Sequence, residues 1–451
     1  MLEQLNEFLF LPKRAIGAAG GAAAVAARAA RSAARLPRRI RQSEFAAAAA
    51  VRAAYWVCTG WMWIFLPLYF LSAGFTLVET GALVTALVLP RILSNGPFGV
   101  LTDFKSPKRV ALAATAAMTL GFAAFYFAAI ASPRLSLEAM LALVLALGFC
   151  MSVAEVSTTS LAFKRVSDAR RGRDVGLLEF SKAAAIGVSL LFAGFLFAAV
   201  GYATGFAAFA VGMALVFVAC ALVARDYKGA VAERAYWRSF ATREIILLFA
   251  VMLLVSFHFG VENSTMSVYS QRVLGLGDGG VGALFAITIF GYAVFNYFSG
   301  KRLDNPALFN SKHLKTSFVI GLAFSAVGFT AFGFTSDFAV AVAFRLMHEL
   351  GDALILVYAL YSLTRIGGAS RIGGLNGFYV TLTTIGSAFG SFGAGLIAAA
   401  VGGNAGLTAS FVVASLLTLA GGALLLAVNS GSLFSSRRFQ AANRANTPDS
   451  S

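Results

Sequence analysis

Charge is scarce in this chain. Of its 451 residues only 12% are Asp, Glu, Lys or Arg, where a soluble globular domain carries about 25%. Such a chain cannot clothe itself in water, which argues against a soluble enzyme. Cysteine is equally thin: Cys58, Cys150 and Cys220 each sit inside an apolar run without paired spacing. Neither a disulfide framework nor a cysteine metal site follows, and the three read as small packing residues. There is no Gly-x-x-x-x-Gly-Lys-[Ser/Thr] loop to hold a nucleotide, no nucleophile motif, and no soluble domain. No enzymatic activity, metal or cofactor is therefore expected. Strand-like alternation is missing as well, which argues against a β-barrel.

What fills the chain is hydrocarbon. Hydrophobic residues make up 59% and the mean hydropathy is +0.79. Apolar runs long enough to cross a hydrocarbon core of roughly 30 Å recur from end to end. In that solvent every backbone hydrogen bond must close internally, and helices do so within one segment. The expectation is an all-α polytopic membrane protein with twelve transmembrane helices. It divides into a basic Ala/Arg-rich arm (1–50), a six-helix bundle (51–224), a central loop (225–244), a second six-helix bundle (245–428) and a tail (429–451).

The net charge of +16 would suit nucleic acid, but its placement points elsewhere. On the twelve-span map, 31 of the 36 Lys and Arg fall in the arm counted through Arg52, the tail and the even-numbered loops, all on one side. Arg134 and Arg272 fall on the other. Positive charge gathers in cytoplasmic loops, so both termini are expected inside, in a bacterial inner membrane. The arm, with no acid between Glu7 and Glu44, reads as an interfacial segment facing lipid head groups.

Two local patterns recur at nearly one offset. Gly99 to Asp103 and Gly300 to Asp304 both read Gly-x-x-x-Asp, 201 residues apart. Arg173 to Phe180 and Arg371 to Phe378 share Arg-x-x-Gly-Leu-x-x-Phe, 198 apart. Two six-helix halves follow, and parallel repeats of this kind place a binding site at their interface. Here the chain resembles the major facilitator superfamily of secondary transporters. The first copy supplies Gly99 and Asp103 of that family's loop motif, with Lys108 and Arg109 as its late basic pair. Phe104 and Ser106-Pro107 depart from the pattern. The second copy keeps Gly300 and Asp304. The resemblance implies that these residues latch a cytoplasmic gate. On physical grounds Gly99 admits a close helix neighbour, for which Gly386–Gly395 offers a surface, and Asp103 can meet loop bases or a helix N-terminus.

Ionisable groups inside the spans are costly, about 2.5–3.5 kcal/mol each on insertion scales, so they face protein or water. Spans three, six, nine and twelve have none. Glu155 lies in span four, His258 and Glu262 in span seven, and Arg345, His348, Glu349 and Asp352 in span ten. Arg91, Glu179 and Lys182 are possible interface charges. The resemblance implies that helices 1, 4, 7 and 10 line a central cavity, and the charge census follows that division. Helical spacing sets Arg345, Glu349 and Asp352 on one face and His258 with Glu262 on another. The seven groups in spans four, seven and ten are candidates for a substrate or proton-coupling cavity, with a static salt-bridge cluster as the opposing reading. Of the span-one aromatics, Trp61 or Trp63 is a candidate to face that cavity. The expected function is alternating-access transport of a small-molecule solute across the lipid bilayer, coupled to a proton or other ion, by a monomer. A non-transporting assembly factor or sensor on the same fold is the alternative.

Overall fold

A computed structural model describes residues 38–75, 77–131, 135–226, 243–305 and 311–427. The tail, most of the arm, nearly all of the central loop, and Arg134 lie outside the described residues. The elements are α1 (Arg38–Thr59), α2 (Met62–Ser72), α3 (Leu77–Phe104), α4 (Pro107–Ile130), α5 (Leu137–Phe163) and α6 (Arg171–Val223). The second half follows with α7 (Arg243–Val261), a π-turn (Glu262–Met266), α8 (Ser267–Arg272), α9 (Asp278–Leu303), α10 (Ser311–Phe332), α11 (Phe338–Val401) and α12 (Gly403–Ala427). No strand occurs among the described residues. Among the described residues, ten helical stretches are long and apolar enough to cross a membrane.

Two elements are longer than a bilayer and must fold back. Gly201 breaks α6 with φ 75° and ψ 170°, in the left-handed half of the map that glycine enters without steric cost. In α11, Asp352 hydrogen-bonds His258 while a Cβ on Gly390 would lie 3.1 Å from Gly260 Cα. A straight helix would separate those two α11 positions by about 57 Å, so α11 reverses between them.

The first span begins before residue 51. The helix already runs from Arg38, and Phe45, Ala48 and Ala49 are buried, so the boundary at 50 falls inside it. Arg52, which the charge census assigned to the arm, is buried in the first half. The departure at Ser106-Pro107 has a local cause. Ser106 caps α4, its Oγ accepting from the Arg109 N–H at 3.1 Å, and Pro107 occupies the first turn, where no N–H is required.

The halves meet along α3 against α11 and α6 against α9, through glycines. A Cβ on Gly99 would lie 2.8 Å from Gly377 Cα, and one on Gly176 the same distance from Gly300 Cα. The expected neighbour for Gly99, Gly386–Gly395, instead packs on α7 around Leu253, Phe257 and Gly260. The small-residue pattern chose the right helix for Gly99 and the wrong stretch of it. Behind this interface the first half is knitted by aromatics. Trp61 stacks on Phe209 at 4.7 Å and packs edge-on to Phe197, geometries worth about 0.5–1.5 kcal/mol beyond area burial.

Candidate functional site

A cavity of about 1420 Å³ lies between the halves. At one end the halves are fastened by two matched contacts. Asp103 accepts from the Gly373 and Gly374 N–H groups at 3.0 and 2.7 Å. Asp304 accepts from Gly172 and Arg173 at 2.7 and 3.0 Å. Each carboxylate at the end of one half thus meets the start of a span in the other half, where unpaired N–H groups and the helix dipole favour negative charge. Lys164, one residue past the end of α5, pairs with Asp103 at 2.7 Å in full burial. Lys108 Nζ donates to the Ala221 carbonyl, and the Arg109 backbone N–H is taken up in the α4 cap. The cavity wall runs the other way, reaching Ile64, Gln271 and Leu396.

The first-half wall carries Arg91, paired with Glu155 at 2.6 Å, and Glu179, paired with Arg52 at 2.7 Å. Arg52 also donates to the Leu178 carbonyl and to Thr159 Oγ1. Lys182 Nζ rests over the Trp56 ring at 4.6 Å, and Arg91 over Trp63 at 5.1 Å. Trp63 lines the cavity and Trp61 is buried in the aromatic core, which separates the two tryptophans. Arg91, Glu179 and Lys182 pair with Glu155, Arg52 and Trp56 of the same half, while Glu179 and Lys182 stand on α6, which meets α9 across the seam.

The second-half wall is denser. Arg345 Nη2 bridges Glu262, at 2.7 Å, and Glu349. Asp352 Oδ2 lies 3.0 Å from His258 Nε2 and 3.5 Å from His348 Nε2, and its Oδ1 accepts from Ser325 Oγ at 2.7 Å. His348 Nδ1 donates to the Ser325 carbonyl at 2.9 Å. Span seven and span ten therefore share one buried network. Arg345 is 1% exposed and Glu262, which opens on the cavity, 15%. Glu262 begins the π-turn, an irregularity that concentrates at functional positions and that hydropathy does not reveal. Burying such charges stabilises little by itself, while removing one partner costs about 3–5 kcal/mol.

The sequence profile described as Major Facilitator Superfamily matches residues 45–309. Among solved structures, the human organic anion transporter MFSD10 (TETRAN) is similar with a TM-score of 0.68 and 15% identity, over 86% of this chain and 100% of that one. A bacterial homologue of the iron transporter ferroportin, in an outward-facing state with soaked iron, is similar with a TM-score of 0.64 and 16% identity, over 85% and 98%. No curated protein sequence matches.

Proposed function

Because this chain belongs to the major facilitator superfamily and is a multi-pass membrane transporter, we propose that it is a secondary transporter. It moves a small solute through the central cavity by alternating access, coupled to an ion gradient, with protons as the first candidate. One observation carries this reading: a cavity fastened at one end by the Asp103 and Asp304 contacts and lined at mid-depth by buried charges. Asp103 and Asp304 with Gly99 and Gly300 act as the gate, and the carboxylate network of α7 and α11 faces the solute. The fastened end is the cytoplasmic one on the charge rule. The two structural neighbours are described for an organic anion and for iron. These have opposite charge, so the two neighbours do not select a solute for this chain.

The test is a solute screen in everted and right-side-out vesicles, with and without an imposed pH gradient. Accumulation in one orientation that collapses with the gradient is the expected result. Absence of both accumulation and exchange for every class of solute would favour the non-transporting assembly factor or sensor.

A further inference from the structure

We propose that His258, Glu262 and His348 form a binding site for a divalent first-row transition-metal cation, which is this cavity's cargo. One donor atom from each of the three lies within 4.8 Å of the others, and two of the chain's three histidines meet here. Two imidazole nitrogens and one carboxylate oxygen suit zinc, iron, manganese or cobalt in their divalent states, where magnesium and calcium demand an all-oxygen cage.

The arrangement behind these donors separates a ligand set from an ordinary buried cluster. Metal-bound histidines almost always tie their second ring nitrogen to a carboxylate or a backbone carbonyl. His258 Nε2 faces Asp352 at 3.0 Å, and His348 Nδ1 donates to the Ser325 carbonyl at 2.9 Å. Of the remaining nitrogens, His258 Nδ1 is buried without a hydrogen-bond partner among the described residues, and His348 Nε2 makes no hydrogen bond although Asp352 Oδ2 stands 3.5 Å away. A static network would be expected to satisfy them, since buried polar atoms are nearly always paired. Glu262 follows the same rule: Oε1 is held by Arg345 at 2.7 Å, and Oε2 stands 4.0 Å from His348 Nε2.

Charge agrees with geometry. Glu262, Glu349 and Asp352 set three carboxylates against one guanidinium, a formal excess of two negative charges in a buried setting. A divalent cation cancels that excess. Access is provided by Glu262, the ligand that opens on the cavity, while both imidazoles stand behind it. The π-turn beginning at Glu262 places that carboxylate opposite α11.

The inference rests on the transporter reading for its cargo role, and two experiments keep the two apart. First, the full-length chain is purified without a polyhistidine tag, with its three cysteines replaced by alanine so that thiolates cannot bind. It is titrated with CoCl2 and followed by visible absorption and calorimetry. One saturable Co2+ per chain is expected, displaced by Zn2+ and untouched by excess Mg2+. Glu262→Gln and His348→Ala should each weaken it at least tenfold, with folding checked by thermal unfolding. Should His348→Ala fail to fold, the near-isosteric Glu262→Gln decides. No saturable Co2+ binding, or binding unchanged in Glu262→Gln, overturns the site. Second, the wild-type chain is placed in liposomes holding a metal-quenched dye. Co2+ entry is expected, and its absence alongside intact binding would leave the site standing and overturn its role as cargo. Transport of another solute without Co2+ binding would overturn the site and leave the transporter reading intact.

Discussion

Individual residues divide here into those that hold the bundle and those that serve the cavity. Arg52 belongs to the first kind. Its guanidinium is spent on Glu179, Thr159 and the Leu178 carbonyl, so little is left to meet a solute. Arg52→Ala should destabilise the detergent-solubilised protein by about 3–5 kcal/mol, because Glu179 is left buried and unpaired. Replacing Arg52 and Glu179 together by leucine should recover most of that loss. A thermal-unfolding series in which the double variant is no better than the single one would remove the pairing from the account. Arg345 differs, since it holds two carboxylates on different helices at once. A lysine keeps the charge but is a compact ammonium without the planar fork. Arg345→Lys is expected to lower transport at least tenfold while leaving the melting temperature within a few degrees. Equal transport by the lysine variant would mean that charge alone suffices there.

At the scale of elements, the sequence was informative about faces and poor about partners. Spacing along α11 grouped Arg345, Glu349 and Asp352, and spacing along α7 grouped His258 with Glu262, because a helix fixes its own faces. That the two groups meet depends on how α7 and α11 pack, which no local period encodes. Lys164 shows the same limit: adjacent to loop bases in sequence, it is drawn into burial by Asp103 across 61 positions. Arg52 was misplaced because an alanine-rich helix start resembles an arm. The twin carboxylate contacts at the ends of α3 and α9 give the element scale its own prediction. Asp304→Ala removes two hydrogen bonds to the start of α6 without stranding a buried lysine, as Asp103→Ala would. Charge at a helix N-terminus is worth up to about 2 kcal/mol in partly buried geometry, so the fastened end should open roughly tenfold more often. A cysteine at Asn376, buried on the cavity wall near that end, should then react correspondingly faster with maleimide applied from the Lys105 side. An unchanged rate would show that the Asp304 contact does not hold the fastened end shut.

At the scale of the whole molecule, the proposed orientation rests on charge. Membrane insertion retains Lys and Arg on the cytoplasmic side, and a two-half fold repeats that constraint at every second loop. The structure gathers the relevant ends: Asp103 meets Gly373, Asp304 meets Gly172, and Arg171 donates to the Thr364 carbonyl, so the ends of α3 and α9 lie at one face. Tyr269, near the end of α8, donates to the Thr335 carbonyl just before α11, which marks the other face. The exposed residues Lys105 and Arg302 belong to the first face, and Arg272 and Ser336 to the second. In a cysteine-free background, single cysteines at Lys105 and Arg302 should be labelled by a membrane-impermeant maleimide only in everted vesicles. Cysteines at Arg272 and Ser336 should be labelled only in right-side-out cells. Labelling of Lys105→Cys and Arg302→Cys from opposite sides would contradict the two-half packing itself. All four reporting with the sides exchanged would keep the packing and reverse the assignment of the fastened end to the cytoplasm.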